Sequence, residues 1–392
     1  MPIQTRLFEK KSPNKSPILC YERTHNAKSM INLIDLFAGI GGFHYGVEAA
    51  ASQYGKSVKA VIVSEIDETC KEVYENNFNC KVLGDINKIQ IHDFANTEID
   101  IITAGFPCQP FSNSGKKLGM RDPRGQFYNT IESFIKRFTP KSFILENVSG
   151  IKNSGGGSYK SKLAVYPAHI GRTLSILEGH LIKLTNYNIK WIELDSSNFG
   201  SPQVRRRVFI IGVHKDFGDS LDFRFPIFQI NSFMSVVKEI YQEDLELNNN
   251  QKRNILSFMN KPPSYQNGMR RVGQAYLCKG GNVGQGYHAH GLVPTLTKVW
   301  AKLLPIYFPN KNETLPVIKS RSFIPNEYYG KGYLRKASAN ELARLQGFPK
   351  FFIPHERFPV AAEHLGNAVN AKVVSEIVNL ILQKISDSIL KN

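Results

Sequence analysis

A chain of 392 residues, 42% of them hydrophobic, has room for one large domain or two moderate ones and the apolar content of an ordinary globular core. Fifty Lys and Arg against 33 Asp and Glu give a net charge of +17, an excess that draws polyanions and makes nucleic acid the leading partner. The five cysteines, at 20, 70, 80, 108 and 278, form no C-x-x-C pair and are too few and odd in number for a disulfide framework, so a reducing compartment is expected and no metal site is read.

Residues 1–30 are basic and rich in Ser, Pro and Asn, and read as a loosely ordered arm. The start lacks the apolar centre of a signal peptide, and no apolar run approaches the eighteen or so residues needed to cross a bilayer, so the expected place of work is inside the cell with no membrane contact. The first strong pattern is "MINLIDLFAGIGGFHYGVEAA": a buried strand over Ile31 to Phe37, a glycine turn, then helix-period residues. A second unit follows, with "KAVIVSEID" as strand and "ETCKEVYENNF" as helix. Short strands are expected at "CKVLGDI" and "IDIITAGFP", a helix around Tyr128 to Arg137, and a strand at "SFILENV". Strands alternating with helices argue for an α/β fold with a doubly wound, mostly parallel sheet, whose ligands sit at the carboxyl ends of the strands.

"NSGGGSYK" reads as a flexible loop, "GRTLSILEGHLIKL" as a helix, and "NIKWIELDSSNFGSPQVRRRVFIIGV" as two strands joined by an arginine-rich connection, a hairpin at the sheet edge. Beyond about residue 220 the alternation stops. From Leu247 to Asn312 there is no Asp or Glu, while nine Lys or Arg occur among Gly, Tyr and Asn, which suits a surface lying along a phosphate backbone. "SANELARLQGFP" carries a capping box, Ser338 with Glu341, and closes at Gly347 and Pro349. "HLGNAVNAKVVSEIVNLILQKI" reads as a glycine turn followed by a long amphipathic helix returning to the first domain.

Gly39, Gly41 and Gly42 let backbone approach a ligand, but G-x-G-G is not the dinucleotide fingerprint. Glu65 ends the second strand, where a carboxylate can accept from both hydroxyls of a ribose, and Asp85 ends the third, within reach of an adenine amine. With no phosphate-cradling lysine, an adenosine compound carrying a carboxylate fits better than a triphosphate. Cys108 follows the fourth strand in "GFPCQPFSNSG". A free cysteine is more often a buried hydrophobe, yet a thiol at this edge can attack an electron-poor ring carbon. Glu146 ends the next strand, where it can protonate a base nitrogen or simply pair with Arg205, Arg206 or Arg207.

In their order, "DLFAGIGGF", "GFPCQPFS", "ENV", "QVRRR", "ARLQGFP" and "GNAV" make this chain resemble the cytosine-5 DNA methyltransferases, over about Leu33 to Val213 and again from about Gly291 to the C-terminal helix. The resemblance implies S-adenosylmethionine as methyl donor, Cys108 as nucleophile, and Glu146 as the residue that binds and protonates the base. It implies that Arg205 and Arg207 hold the cytosine and the catalytic loop. Phe37, Ala38, Gly39, Ile40, Gly42, Glu65, Asp85, Pro107, Asn367 and Val369 would line the cofactor pocket. One position departs: where the family often has a tryptophan stacked on adenine stands Ile66, which with Ile86 would cover the adenine faces.

Carbon 5 of cytosine is too poor a nucleophile to take a methyl group unless a thiolate first adds to carbon 6, and the base must leave the helix for that. Ser112 and Lys116 in the catalytic loop, and Arg270, Arg271 and Thr295 in the acid-free region, are the expected contacts to double-stranded DNA. The expected division is an arm at 1–30, a catalytic and cofactor-binding domain at 31–220, a smaller irregular target-recognition domain at 221–335, and a return to the catalytic domain at 336–392. A monomer in the bacterial cytoplasm, the modification half of a restriction-modification pair, is the whole expectation. The alternatives are a tRNA cytosine methyltransferase, which would favour Thr at position 112 and a Cys-Phe-Thr stretch that is absent here, and a catalytically silent DNA-binding regulator, which would have lost the nucleophile or the glycine turn.

Overall fold

The computed structural model describes residues 29–94, 97–107, 127–218, 223–226, 228, 236, 271–272, 275–277, 293, 295–297, 301–308 and 333–389. Within them the apolar runs become β1 (Ser29–Leu36), β2 (Lys56–Ser64), β3 (Ile101–Gly105) and β4 (Ser142–Val148), separated by α1 (Gly42–Gln53), α2 (Glu68–Phe78) and α3 (Phe127–Phe138). A two-residue hairpin, β5 (Tyr159–Lys160) with β6 (His169–Ile170), precedes α4 (Arg172–Leu181). The long antiparallel pair β7 (Tyr187–Asp195) and β8 (Arg206–His214) follows.

Six strands form one sheet in the order β2-β1-β3-β4-β8-β7. Neighbours from β2 to β4 are parallel, whereas β8 runs antiparallel to both β4 and β7. The result is an α/β fold with a mixed sheet, its edge closed by the hairpin that the sequence suggested. Period-two alternation sends side chains to both faces. Ile31, Leu33, Ile101, Ile144 and Ile211 pack with Val47 and Ala50 of α1 on one side. Ile34, Ile102, Phe143, Leu145 and Ile210 pack with Phe134 of α3 and Leu177 of α4 on the other.

The C-terminal segment adds α5 (Ala339–Leu345), α6 (Phe358–Asn367) and α7 (Ala371–Ile389). The capping box at α5 is complete: Glu341 N donates to Ser338 Oγ and Ser338 N to Glu341 Oε2. Val373, Val374, Ile377 and Ile381 of α7 join the core beneath α1. The helices touch so closely that a Cβ on Gly46 would lie 2.5 Å from Val374. Phe358–Ser388 has the length and hydropathy of a membrane span, which the sequence did not lead one to expect, but it is broken after Asn367 and most of its apolar stretch is buried inside the fold. Four further short strands, β9 (Arg271–Val272), β10 (Ala275–Leu277), β11 (Pro305–Phe308) and β12 (Tyr333–Lys336), pair antiparallel in the order β12-β11-β10-β9.

Two local expectations are corrected. "CKVLGDI" is not a strand: Leu83 N donates to Val63 O, but Gly84 at φ +79° and the turn capped by Asp85 break the extended backbone. Gly366 is not a turn either, because it lies inside α6, and the chain bends after Asn367.

Gly41 is a glycine that the first turn cannot replace. It caps α1 at φ +87°, and a Cβ there would stand 2.1 Å from the Phe78 ring, which is itself stacked on His44. Left-handed strain and overpacking together predict that Gly41→Ala costs about 2–4 kcal/mol. A shift of the urea midpoint at unchanged slope checks it.

Candidate active site

The carboxyl ends of β1, β2, β3 and β4 meet at one cavity of about 510 Å³. Its floor is the turn after β1, where Phe37 (φ 53°), Gly39 (φ 54°) and Gly41 all adopt left-handed backbone. The turn is tied to β2 by Ala38 N to Ser64 O at 2.9 Å and by Gly39 N to Glu65 Oε2 at 2.9 Å. Glu65 Oε1 accepts from Ile66 N and Asp67 N at 2.7 and 2.9 Å. Its carboxylate is therefore fixed by three amides from two loops, with lone pairs left for a ligand. Asp85 is oriented the same way, accepting from Asn87 N at 3.0 Å.

All twelve residues expected at the cofactor line this cavity: Phe37, Ala38, Gly39, Ile40, Gly42, Glu65, Ile66, Asp85, Ile86, Pro107, Asn367 and Val369. Ile66 is 71% exposed and Ile86 is buried. Gly42 needs its missing side chain, since a Cβ would sit 2.8 Å from Val369. Phe127, Asn87, Asp67 and His364 also line the cavity and were not anticipated. Asp67 was readable as the cap of α2, to which Thr69 N and Cys70 N donate. His364 was not, because only the docking of α6 brings its Nε2 within 2.8 Å of Thr69 Oγ1. Asp67, Cys70 and His364 hold potential ligand atoms within 4.8 Å of one another. However, Asp67 Oδ1 already accepts from three donors, and burial pushes the Cys70 thiol far above its usual range.

Glu146 ends β4 on the same cavity. Its Oε1 meets Arg207 Nε at 3.0 Å, and its Oε2 lies 3.8 Å from where a Cβ on Gly105 would be. Burial raises the carboxyl above its ordinary range, and the Arg207 and Arg205 guanidinium groups oppose that rise without cancelling it. Asn147 follows, its Nδ2 donating to Phe106 O at 3.2 Å, which secures the chain just ahead of Pro107.

The arginines divide. Arg207 pairs with Glu146, and Arg206 with Asp195. Arg205 stands outside the cavity lining, at 2% exposure, and donates to the carbonyls of Leu296 (2.9 Å), Gly366 (3.2 Å) and Ala368 (2.7 Å). These contacts tie the β8 entry to residues 295–297 and the end of α6. Thr295 also turns inward, donating from Oγ1 to Val204 O at 2.7 Å. Cys108, Ser112, Lys116 and Arg270 lie outside the described residues, and Arg271 falls on β9.

Behind the turn, Asp35 is fully buried, receiving Thr103 Oγ1 at 2.8 Å and Tyr74 Oη at 3.4 Å. Burial pushes its carboxyl from 3.8 up to about 7, against those two hydrogen bonds. Between these values the folded state holds more protons than the unfolded chain, so stability falls as pH rises through the window, by about 4 kcal/mol in all. Asp35→Asn is expected to flatten that dependence. Urea midpoints on either side of the window, compared between the two proteins, read it directly, and an equally steep fall in both would show that another group is responsible.

Comparison with known proteins places this geometry in a family. The type II methyltransferase M.HpaII of Haemophilus parainfluenzae is 29% identical over 375 residues, covering 93% of each chain. M.NlaX of Neisseria lactamica, also a type II methyltransferase, is 31% identical over 362 residues, 91% of this chain and 99% of its own. Among solved structures, the Entamoeba histolytica methyltransferase EhMeth superposes with a TM-score of 0.62 at 18% identity, covering 91% of this chain and 99% of that one, a likeness of fold. Residues 31–383 match the model of one family, described as C-5 cytosine-specific DNA methylase, and span both the glycine turn and the Glu146 strand. The chain belongs to the C-5 cytosine-specific DNA methylases.

Proposed function

We propose that this DNA cytosine-5 methyltransferase acts on one cytosine of a specific duplex sequence, flipped out of the helix, through a transient bond from Cys108. It would work as a monomer, as the modification half of a restriction-modification pair in the bacterial cytoplasm. The supporting observation is that a single cavity carries Glu65, bonded to the glycine turn, together with Asp85, Glu146 paired with Arg207, and Pro107, which is joined directly to Cys108.

The cavity suits S-adenosylmethionine. Gly39 has nothing within 4 Å of where a Cβ would be, and the Glu65 and Asp85 carboxylates are held ready as acceptors for ribose hydroxyls and an amine. When bound, the cofactor supplies an electrophilic methyl group. Phe37, Ala38, Gly39, Ile40, Gly42, Pro107, Asn367 and Val369 would complete its walls, with Ile66 and Ile86 against the adenine.

On the substrate side, the Cys108 thiolate adds to carbon 6 while the Glu146 carboxyl gives its proton to ring nitrogen 3. The ring becomes an enamine, nucleophilic at carbon 5. After methylation, the carbon 5 proton leaves to solvent, the Cys108 sulfur departs as a thiolate, and ring nitrogen 3 returns its proton to the Glu146 carboxylate, which restores the aromatic ring and both side chains. Arg207 holds Glu146 in place, and Arg205 acts at one remove, by fixing the segments around it. Residues 31–220 with 336–392 would form the catalytic domain and 221–335 the target-recognition domain, where Arg270, Arg271 and Thr295 approach DNA, with Ser112 and Lys116 contributing from the catalytic loop.

The test is chemical sequencing of DNA from cells expressing the protein. 5-Methylcytosine at one cytosine of a short recurring sequence is expected. Methyl groups on an exocyclic amine, or on tRNA alone, would overturn the reading.

A further inference from the structure

We propose that the strap between β4 and α4, residues 154–172, is a second DNA-binding element that lies along the phosphate backbone beside the target cytosine. This rests on the DNA reading above. The chain leaves β4 two residues after Glu146, at the same carboxyl edge as the cavity, and enters the strap six residues later.

Its charge is one-sided. No Asp or Glu occurs from Asn147 to Leu177, a second acid-free stretch outside the proposed recognition domain. Lys160, Lys162 and Arg172 are exposed, and none has an ion-pair partner among the described residues. Lys152, just before the strap, is instead neutralised by Glu193 at 2.6 Å. Tyr159 and Tyr166 are 43% and 68% exposed beside these cations. Exposed lysines with amphipathic aromatic neighbours are the composition of a wet, phosphate-facing surface.

The strap is also rigid by construction, which an idle solvent loop does not need. Three successive glycines, Gly155, Gly156 and Gly157, all take positive φ. A Cβ on the first would meet Thr173 Oγ1 at 2.8 Å and on the third the Tyr159 ring at 2.6 Å. Arg172 N donates to Gly156 O at 2.8 Å and closes the base of the hairpin. Further on, the buried Glu178 carboxylate collects Lys162 N (3.0 Å), Leu163 N (3.3 Å) and Trp191 Nε1 (2.8 Å). Val165 N to Trp191 O and Trp191 N to Leu163 O then lace the strap onto edge strand β7. Pinning the backbone this way fixes where the Lys160 and Lys162 side chains leave the strap, so binding loses little main-chain entropy.

The experiment measures duplex DNA affinity against salt for the full chain and for Lys160→Ala/Lys162→Ala. Each lost phosphate contact lowers the slope of log K against log salt by about 0.9, so the double variant should bind about ten-fold or more weakly at low salt with a slope shallower by nearly two. The loss should be equal for a duplex carrying the recognition sequence and for an unrelated one. Lys160→Glu/Lys162→Glu should deepen it, while the melting temperature and S-adenosylmethionine affinity stay at wild-type values. Unchanged slope and affinity, or a loss confined to the recognition sequence, would overturn the proposal. A wild-type protein that neither binds nor methylates DNA would instead remove the reading beneath it.

Discussion

Cys108→Ser is expected to lower kcat by at least about 10⁴-fold, more than 5 kcal/mol of barrier, while leaving DNA and S-adenosylmethionine affinity near wild type. A cysteine thiol, with an unperturbed pKa of about 8.5, is already a few per cent thiolate at neutral pH and intrinsically nucleophilic, whereas a serine hydroxyl is essentially un-ionised. Without addition at carbon 6, carbon 5 gains no electron density and the methyl group has no acceptor. The substitution removes no large side chain, so specific binding should survive it. Methyl incorporation and duplex affinity measured on one preparation separate the two effects. DNA with 5-fluorocytosine at the target should trap the wild-type chain covalently, because fluorine cannot depart as the proton does, and should fail to trap the serine variant. A serine variant with ordinary turnover would end the assignment.

The site was more legible than its support. Glycines at Gly39 and Gly41, and acids at the ends of β2 and β4, are readable because a parallel α/β sheet puts every strand end on one edge, so a few motifs converge without knowledge of the packing. What the sequence hid was the destination of buried polar groups. Arg205 lies two residues from Arg207 on the same strand approach and looks equivalent in "QVRRR". Only the docking of α6 and of residues 295–297 gives its guanidinium three carbonyls to bind. Thr295 is turned inward by Val204 O in the same way.

Secondary structure failed where backbone hydrogen bonds had no neighbour to complete them. "CKVLGDI" has the apolar look of a strand, yet Gly84 and the Asp85 cap end its contact with β2 almost as it begins. Gly366 has the residue type of a turn, but α6 continues through it to Asn367, and the Gly366 carbonyl accepts from Arg205.

Glu146→Gln isolates the proton that the ring needs. The amide keeps the side-chain shape, and its oxygen can still accept from Arg207 Nε, now at 3.0 Å from Oε1, so the cavity wall should stand. What disappears is an acid for ring nitrogen 3, and kcat should fall by about 10²–10⁴-fold, the usual contribution of a positioned general acid. Burial lifts the wild-type carboxyl above the ordinary glutamate range, which keeps a larger protonated fraction near neutrality than an exposed glutamate would have. The wild-type rate should therefore decline on the alkaline side as Glu146 ionises, opposing the gain from Cys108 deprotonation, and the glutamine variant should lose that declining limb. Arg207→Ala should shift that limb: removing the cation that favours the ionised form raises the Glu146 pKa further, so the decline should move to higher pH. Single-turnover methylation across pH, on DNA saturating for each variant, reads all three curves. A glutamine variant matching the wild-type rate, or a decline that Arg207→Ala moves toward acid, would mean that another group protonates the base.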